Sequence, residues 1–410
     1  MLIKLAWRNL WRNKLRTSIM LFAMVFGLIG VASMIGFMNG MYGNMIDNAI
    51  AWQTSNIQIH RSEYINEPEI NDTIIGSEQI IEQLRDMPDV SAWSARFIAD
   101  GMVASARSTR GVKINGIDLE AEAKVTPLVS HIIEGEWLSE QGRNPVLVSS
   151  KTAERLRLRV GSKVVLTFTD AANDVSGAAF RVRGIFKSPS SSFDDGNVYV
   201  RRSDLSALAH IDGVHEIAIV VNEATPSSNI VTQAVKAQLQ TKTSKLNTIR
   251  DWQQIQPMMA TMIKQTGTST AIILGIFVSA MGLGIVNIML MSVFERTREF
   301  GVLMAVGMQK HKVFLLIMLE TSLLGMSGAL LGVGICAVLM MLLQTTGISL
   351  NSMAEGLGAF GVDTTIYPRV SFGEYQLIFL TVVAASFLAA LYPARQILKQ
   401  RPADAMAEKH

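Results

Sequence analysis

Four long apolar stretches constrain the fold of this chain more than any other feature of its sequence. Residues 19–41 and residues 271–294 contain no Lys, Arg, Asp or Glu, and residues 313–343 contain a single Glu. A fourth and shorter stretch, residues 375–392, ends immediately before a proline. About 20 mostly apolar residues are enough to cross the hydrocarbon core of a bilayer as a helix. The sequence therefore predicts a membrane protein with four transmembrane helices.

The composition excludes several other classes of protein. Hydrophobic residues make up 49% of the 410-residue chain and charged residues only 17%, whereas soluble globular proteins average about 25% charged residues. The net charge of +3, from 37 basic and 34 acidic residues, is too small to indicate a nucleic-acid partner. The single cysteine, Cys336, excludes an intramolecular disulfide and a zinc site built from several cysteines.

The segment between the first two apolar stretches, residues 42–270, is nearly as polar as a soluble domain. Alternation of apolar and polar residues at 55–60 indicates a strand, and the helical spacing of apolar residues in 227–242 indicates a helix. The pattern predicts an α+β domain with a β-rich insertion at about 125–222. The predicted fold class is therefore a membrane α-helical protein of four transmembrane helices, with a large α+β extracytoplasmic domain between helices 1 and 2.

Basic residues predict the orientation of the chain in the membrane. Residues 1–17 carry five bases and no acid, and residues 295–312 and 393–410 carry four bases each. Cytoplasmic loops show such an excess, and four spans place all three segments on one side. We expect both termini in the cytoplasm and the large domain outside. Trp7 and Trp11 among the bases predict an amphipathic interfacial helix at 1–17. The alternative is ordinary flanking anchors, and both interpretations give the same topology.

A search for catalytic motifs finds none. The chain has no G-x-x-x-x-G-K-[ST] nucleotide loop, no H-E-x-x-H zinc helix and no G-x-S-x-G nucleophile elbow. His60, His131 and His210 are isolated, and the pair Asp194-Asp195 lies in a Ser-, Pro- and Gly-rich segment that we interpret as a solvated turn. We therefore expect neither a metal nor a cofactor on this chain, and any work that it performs needs an external energy source.

The most informative segment is residues 287–307, NIMLMSVFERTREFGVLMAVG. It leaves the second apolar stretch and enters a short run of paired charges with Phe300, Leu303 and Met304 on one helical face. A short amphipathic helix between two membrane spans can dock into a groove of a partner. The alternative is a simple interfacial loop helix.

Residues 287–307 resemble the hallmark segment of a permease family that includes the macrolide exporter, the lipoprotein-releasing permeases and the cell-division permease FtsX. Residues 5–17 (LAWRNLWRNKLRT) and the ending Tyr392-Pro393-Ala394-Arg395 … Arg401-Pro402-Ala403-Asp404-Ala405 also resemble that family. In the large domain, residues 134–138 (EGEWL) and 144–166 resemble its extracytoplasmic core. The resemblance covers nearly the whole chain.

The resemblance implies a non-catalytic permease subunit of an ABC transporter in the bacterial inner membrane. Two permease chains, alike or unlike, would pair and bind separate ATPase subunits that carry the ATP and Mg. ATP-driven closure of the cytoplasmic side would be transmitted to the external domains. The ATPase would contact a coupling helix whose residues are Glu295, Arg296, Arg298, Glu299, Phe300, Gly301, Leu303, Met304 and Gly307.

The substrate is suggested by residues 37–41 (FMNGM), which resemble the M-N-G-F of lipoprotein-releasing permeases. A lipoprotein or lipid of the outer leaflet would then be moved, with a periplasmic carrier or adaptor as partner. Soft, adaptable side chains near this end of the membrane would line its acyl-chain cavity: Met34, Phe37, Met38, Met41, Met258, Met259 and Met262. The alternative is that these side chains simply pack against neighbouring helices. Two alternatives are efflux of peptides, antibiotics or other small molecules, and an FtsX-like scaffold that signals to an external hydrolase.

The sequence thus predicts nine segments. They are the interfacial helix 1–17, transmembrane helix 18–41, extracytoplasmic domain 42–270, transmembrane helix 271–294, coupling segment 295–312, transmembrane helix 313–343, extracytoplasmic loop 344–374, transmembrane helix 375–392 and cytoplasmic tail 393–410. The length of the first apolar stretch and the lack of a clear A-x-A site argue against a cleaved signal peptide.

Overall fold

The computed structural model describes residues 2–223 and 229–399, with the backbone alone for residues 397–399. Its helices are α1 (Leu2–Leu10), α2 (Lys14–Ala49), α3 (Ser62–Asn66), α4 (Ser77–Arg85), α5 (Leu119–Val125), α6 (Ser150–Leu156), α7 (Ser191–Gly196), α8 (Arg202–Ala209), α9 (Ile230–Lys242), α10 (Trp252–Ile255), α11 (Pro257–Glu295), α12 (Thr297–Ala305), α13 (Lys310–Thr346), α14 (Ala354–Ala359) and α15 (Phe372–Lys399). Its strands are β1 (Ile57–Arg61), β2 (Val90–Ala104), β3 (Thr109–Ile117), β4 (Ile132–Gly135), β5 (Pro145–Ser149), β6 (Lys163–Thr169), β7 (Val175–Phe186), β8 (Asn197–Arg201), β9 (Glu216–Val221), β10 (Asn247–Asp251), β11 (Ile348–Ser349) and β12 (Thr365–Ile366).

Four helices are long and apolar enough to cross a membrane: α2, α11, α13 and α15. A helix satisfies its backbone hydrogen bonds within one segment, which is what a lipid environment demands. The prediction of four apolar helices is therefore confirmed for the residues that the structure describes. A π-helical turn, Ile50–Thr54, extends α2.

The chain divides into two units, and the first comprises residues 1–41, 264–348 and 366–410. Its described core is formed by α2, α13 and α15, with contributions from α11 and α12. Small residues allow α13 to approach its neighbours closely: Gly325 faces Ser386 of α15, and Gly332 faces Leu28 of α2. Such close approach through glycine is typical of helix packing in membranes.

The part of α2 around Asn39 is fixed by the segment that precedes α15. Asn39 Nδ2 donates to the carboxylate of Glu374 at 2.7 Å and to the carbonyl of Arg369 at 3.2 Å. A side chain at Gly40 would collide with the carbonyl group of Tyr367. Two residues of the FMNGM sequence thus have a structural role.

The second unit comprises residues 42–263 and 349–365 and is built on a ten-stranded sheet. The strand order is β10-β1-β9-β2-β3-β8-β5-β7-β4, and β6 pairs with β2 and β7. Most strand pairs are antiparallel, but β3 with β8 and β5 with β7 are parallel. One apolar core lies around β1, β9 and α9, and another lies around β5, β7 and β8.

The structure differs from the sequence expectations at several boundaries. Helix α1 ends at Leu10 and α2 begins at Lys14, so residues 1–17 do not form one helix. Strand β9, which falls within the predicted β-rich insertion, lies between β1 and β2 in the same sheet. Residues 227 and 228 of the predicted helix, and residues 400–410 of the predicted tail, lie outside the described residues.

Helix α15 continues through Pro393 to Lys399, although the sequence analysis ended the fourth span before this proline. Proline removes one backbone donor, but membrane helices tolerate it where neighbouring groups satisfy the freed carbonyl. Ala394 is fully buried in the first unit's core, so packing holds the helix together beyond the proline.

Candidate functional site

The predicted coupling segment forms a short helix, α12, between α11 and α13. It begins after Arg296, whose backbone leaves the helical conformation. It ends at Ala305, and two residues later the φ angle of +102° at Gly307 favours glycine. The Gly307 N–H donates to the carbonyl of Met304 at 3.1 Å, and the Met308 N–H donates to that of Leu303 at 3.0 Å. These two bonds form a Schellman motif. The motif explains the glycine at position 307 as the end of a helix, without contact to a partner.

The apolar face of α12 turns toward this chain's own core. Phe300 is 1% exposed and Gly301 is buried, and Leu303 and Met304 pack partly against the same cluster. The guanidinium of Arg296 lies over the Phe300 ring, 5.1 Å from its centroid. Phe300 therefore anchors the helix and is not available to a partner.

The opposite face of α12 is open to solvent. Arg298 is exposed, as are Val302 at 49% and Val306, just after the helix, at 83%. Positions 298, 302 and 306 follow a spacing of four residues and so share one side of the helix. This outer face, Arg298–Val302–Val306, has the geometry of a docking surface.

Ion pairs fix α12 to the N-terminal segment. Arg12 bonds Glu299 through both carboxylate oxygens, at 2.7 and 2.9 Å, and Arg16 pairs with Glu295. Burial raises the pKa of Glu299, but the hydrogen bonds and charges of Arg12 and Arg296 outweigh burial and lower it. Glu299 is thus held ionised at neutral pH.

Arg296 and Glu320 form the buried part of this network. Arg296 Nη1 donates to the two carboxylate oxygens of Glu320 at 3.0 and 3.1 Å, and the two side chains are only 12% and 9% exposed. A cavity of about 270 Å³ lies beside the pair, lined also by Asn13 and Ser292. The one acidic residue of the third apolar stretch, Glu320, is therefore the buried counterion of Arg296.

The proposed lipid-facing residues fall into two groups. Met34 is 44% exposed on α2, whereas Phe37, Met38 and Met41 are half-buried there, and all four belong to the first unit. In the second unit, Met258 is 78% exposed. Met259 packs against a cluster of Ile46, Ile50 and Trp252, and Met262 is half-buried.

Much of α11 is left uncovered by the described residues of this chain. Ile272, Ile276, Leu283 and Met291 are 59–72% exposed. A Cβ atom added at Gly275, Gly282 or Gly284 would meet no described atom within 4 Å. An apolar helix face of this kind requires lipid or another protein chain.

The sequence analysis missed a buried ionic cluster in the second unit. Arg96 Nε and Nη2 donate to Glu122 at 3.0 and 2.6 Å, and its Nη1 donates to Glu216 at 2.6 Å. His60, interpreted as isolated, lies 3.1 Å from the other Glu216 oxygen. The only indication of this cluster in the sequence was the presence of His60 and Glu216 in otherwise apolar strands.

The other residues considered for catalysis have structural roles. Asp194 is buried in α7 and accepts from the Ser188 N–H, while Asp195 pairs with Arg110 and Arg155, so neither lies in a solvated turn. His131 stacks edge-on against a tryptophan, and His210 ends α8. Among the described residues, no group of three His, Cys, Asp or Glu is placed to hold a metal ion.

Comparison with known proteins matches both units of the chain. Residues 17–242 match the family described as MacB-like periplasmic core domain, and residues 271–402 match FtsX-like permease C-terminal. The lipoprotein-releasing system transmembrane protein LolC of Xylella fastidiosa (strain Temecula1) is 22% identical over 328 residues, which cover 77% of each chain.

Two further similarities are partial. The macrolide export ATP-binding/permease protein MacB of Haemophilus ducreyi is 32% identical over 128 residues, which are 31% of this chain and 16% of that protein. The chain is also similar to the crystal structure of the periplasmic region of MacB from Actinobacillus actinomycetemcomitans, and the match covers 53% of this chain and 97% of that one. It is 14% identical, with a TM-score of 0.37.

Proposed function

Because this chain belongs to the family of ABC transporter permeases with a MacB-like periplasmic core domain and an FtsX-like C-terminal part, we propose that it moves a lipoprotein or lipid from the outer leaflet of the inner membrane. The energy comes from a separate ABC ATPase, which binds the ATP and Mg. This chain contributes no catalytic group. Both termini lie in the cytoplasm, as the basic segments predict.

The outer face of α12 carries the coupling part of this proposal. The inner face is anchored by Phe300 and by the ion pairs of Arg296 and Glu299. A partner that pushes on Arg298 and Val302 would therefore move the base of α11 and α13 as well. A rigidly anchored helix with an exposed, mixed apolar and cationic face suits the transmission of force from an ATPase.

Charge reversal on this face tests the coupling. Arg298→Glu should lower copurification of the ATPase about tenfold or more, because it places a like charge against an acidic surface on the partner. Arg8→Glu is the matched control, since Arg8 is an exposed arginine of α1 outside the docking face. Equal ATPase recovery with Arg298→Glu and with wild type would overturn the assignment of this face.

Two observations support a lipid-anchored substrate. LolC, described as part of a lipoprotein-releasing system, aligns over 77% of both chains, and the exposed Met34 and Met258 offer adaptable apolar surface. The uncovered face of α11 supports pairing with a second permease subunit. A periplasmic carrier or adaptor would receive the substrate.

Site-specific photocrosslinking tests the substrate. A photoreactive residue at Met34 or Met258 should capture acylated protein, and ATP should change the yield. The control position is Leu330 on α13, which is 67% exposed and apolar but outside the predicted cavity. Equal labelling at all three positions, regardless of nucleotide, would contradict the proposal.

Export of small molecules is the second candidate, because MacB proteins match shorter parts of this chain at higher identity, 32% over 128 residues in one case. The two functions differ in what the native complex retains. An acylated protein or lipid bound to the purified complex favours release from the membrane, whereas an efflux adaptor in the complex favours export.

A further inference from the structure

An open cavity of about 380 Å³ lies within the second unit. Its polar lining includes a titratable side chain from each of three strands, His60 of β1, Lys113 of β3 and Arg250 of β10, together with Arg96 of β2 and Glu216 of β9. Gln53, which follows α2, and Gln256, which precedes α11, close one side, and Gln256 Nε2 donates to Gln53 Oε1 at 3.2 Å. The cavity thus borders the residues that connect this unit to two apolar helices.

The charges behind the cavity are already balanced. Arg96 donates hydrogen bonds to Glu122 and Glu216. Burial by itself lowers the pKa of Arg96, but these two carboxylates outweigh burial and raise it. Glu216 is also a hydrogen-bond partner of His60. Arg96 is consequently not available to bind another anion.

Two further cations at the cavity have no such partner. Neither Lys113 nor Arg250 makes an ion pair within 4 Å with a described residue, although Glu216, the one acidic residue in the described lining, lies near both. The Nε of Arg250 is buried and has no hydrogen-bond partner among the described atoms. A buried donor without an acceptor is uncommon in folded proteins, because its desolvation is uncompensated.

His60 adds a second buried polar atom without a partner, beside the Nε of Arg250. The residue is 4% exposed, and its Nδ1 atom is buried without a partner among the described residues. Since Glu216 is an acceptor, the Nε2 atom of His60 carries the proton that faces it. Nδ1 is then an acceptor in the neutral ring, suited to a protonated oxygen of a ligand.

We propose that this cavity binds a phosphate group, with Arg250 and Lys113 contacting its anionic oxygens and His60 Nδ1 accepting from a hydroxyl of the same ligand, which is the P–OH in hydrogen phosphate and an alcohol hydroxyl in glycerol 3-phosphate. The two unpaired cations match the charge of a hydrogen phosphate dianion or a phosphomonoester, and a guanidinium with a free Nε–H is well shaped for an oxyanion. The phosphate comes either from a lipid headgroup or from solution. A bound phosphate would brace the two connecting segments at Gln53 and Gln256.

The test is calorimetric titration of the full chain in dodecyl maltoside and phosphate-free buffer. Inorganic phosphate and glycerol 3-phosphate are the two probes, with sodium chloride at equal ionic strength as the blank. We expect saturable binding of at least one probe. Tighter binding of glycerol 3-phosphate indicates a headgroup site, and equal or tighter binding of inorganic phosphate indicates a site for the free ion.

Variants separate this site from general charge effects. Arg250→Gln and Lys113→Gln should each weaken binding about tenfold or more, the loss expected for one charge-assisted contact. Lys113 is exposed, so its replacement should leave folding intact even if Arg250→Gln does not. Arg107→Gln, in the exposed turn between β2 and β3, should bind like wild type. Absence of saturable binding, or equal affinity in wild type and the Lys113→Gln variant, would overturn the proposal. Both measurements use this chain alone, so their outcome does not depend on the proposed ATPase partner.

Discussion

Arg12 and Glu299 are joined by two hydrogen bonds, of 2.7 and 2.9 Å, from one guanidinium nitrogen to both carboxylate oxygens. Arg16, four residues after Arg12, pairs with Glu295, four residues before Glu299. Arg12 lies between α1 and α2 and Arg16 in the first turn of α2, whereas Glu295 ends α11 and Glu299 lies in α12. The two ion pairs thereby fasten the N-terminal segment to the end of α11 and to the coupling helix.

Removal of the Arg12–Glu299 contact should change stability only slightly. The two side chains are 55% and 46% exposed, and exposed ion pairs contribute about 0–1 kcal/mol. We expect Arg12→Gln, Glu299→Gln and the double variant to give a coupling free energy within that range in denaturant unfolding in detergent. The coupling should shrink at high salt, and a salt-independent value above 2 kcal/mol would contradict this interpretation.

The buried pair Arg296–Glu320 should behave differently. Glu320→Leu removes the buried counterion of Arg296, which keeps only the half-exposed Glu299, a change that costs up to about 3–5 kcal/mol. The double variant Arg296→Met/Glu320→Leu removes both charges and should recover much of that loss. The same unfolding experiment checks it. If the double variant is as unstable as Glu320→Leu alone, the pair does not account for the loss.

Glycine substitutions along α13 should separate packed from open positions. Gly325→Ala forces a methyl group onto Ser386 of α15 and should destabilise the protein by about 1–3 kcal/mol. Gly334→Ala on the same helix is the control, because nothing described lies within 4 Å of its added Cβ. Thermal unfolding in detergent should show a lower midpoint for the Gly325 variant alone, and equal midpoints would refute the close contact of α13 with α15.

The cluster around Glu216 should stabilise the protein above acidic pH. Burial raises the pKa of Glu216, but Arg96 and the bond to His60 outweigh it and lower the pKa to about 2. A depressed folded-state pKa gives stability that is present above about pH 4.5 and is lost as the pH falls toward 2. Unfolding midpoints of wild type should therefore fall over this range.

The Glu216→Gln variant is the comparison for that experiment. It should be less stable at neutral pH, because Arg96 loses one carboxylate, but its midpoint should depend less on pH between 4.5 and 2. Parallel pH profiles for wild type and variant would show that Glu216 is not the titrating group.

Asp194 should have the opposite effect on stability. Burial raises its pKa to about 6 despite the hydrogen bonds from Ser188, so its ionised form is disfavoured in the folded state. A raised carboxylate pKa costs stability above about pH 6 and nothing below about pH 4. Asp194→Asn, which keeps an acceptor oxygen for the Ser188 N–H, should therefore unfold at a higher temperature than wild type at pH 8 but not at pH 4. A variant that is less stable at pH 8 would contradict this assignment.

The four apolar helices and the permease family could both be predicted from the sequence. Helix existence follows from uninterrupted local hydropathy, and the motif at residues 287–307 is contiguous, so neither needs tertiary information. Helix ends were harder to predict. Pro393 indicated a stop, yet α15 passes through it, because packing around Ala394 compensates for the lost backbone donor.

The candidate site shows the same division. Its apolar residue Phe300 was recognisable on one helical face, but the choice between a partner's groove and the chain's own core depends on what lies opposite. The pairing of Arg12 with Glu299 links residues 287 positions apart, and β1, β3, β9 and β10 bring His60, Lys113, Glu216 and Arg250 to one cavity. Hydropathy patterns and contiguous motifs extend over only a few turns of the chain, so the sequence alone determines them. Burial, ion pairing and cavities depend on contacts between distant segments, so only the tertiary structure decided them.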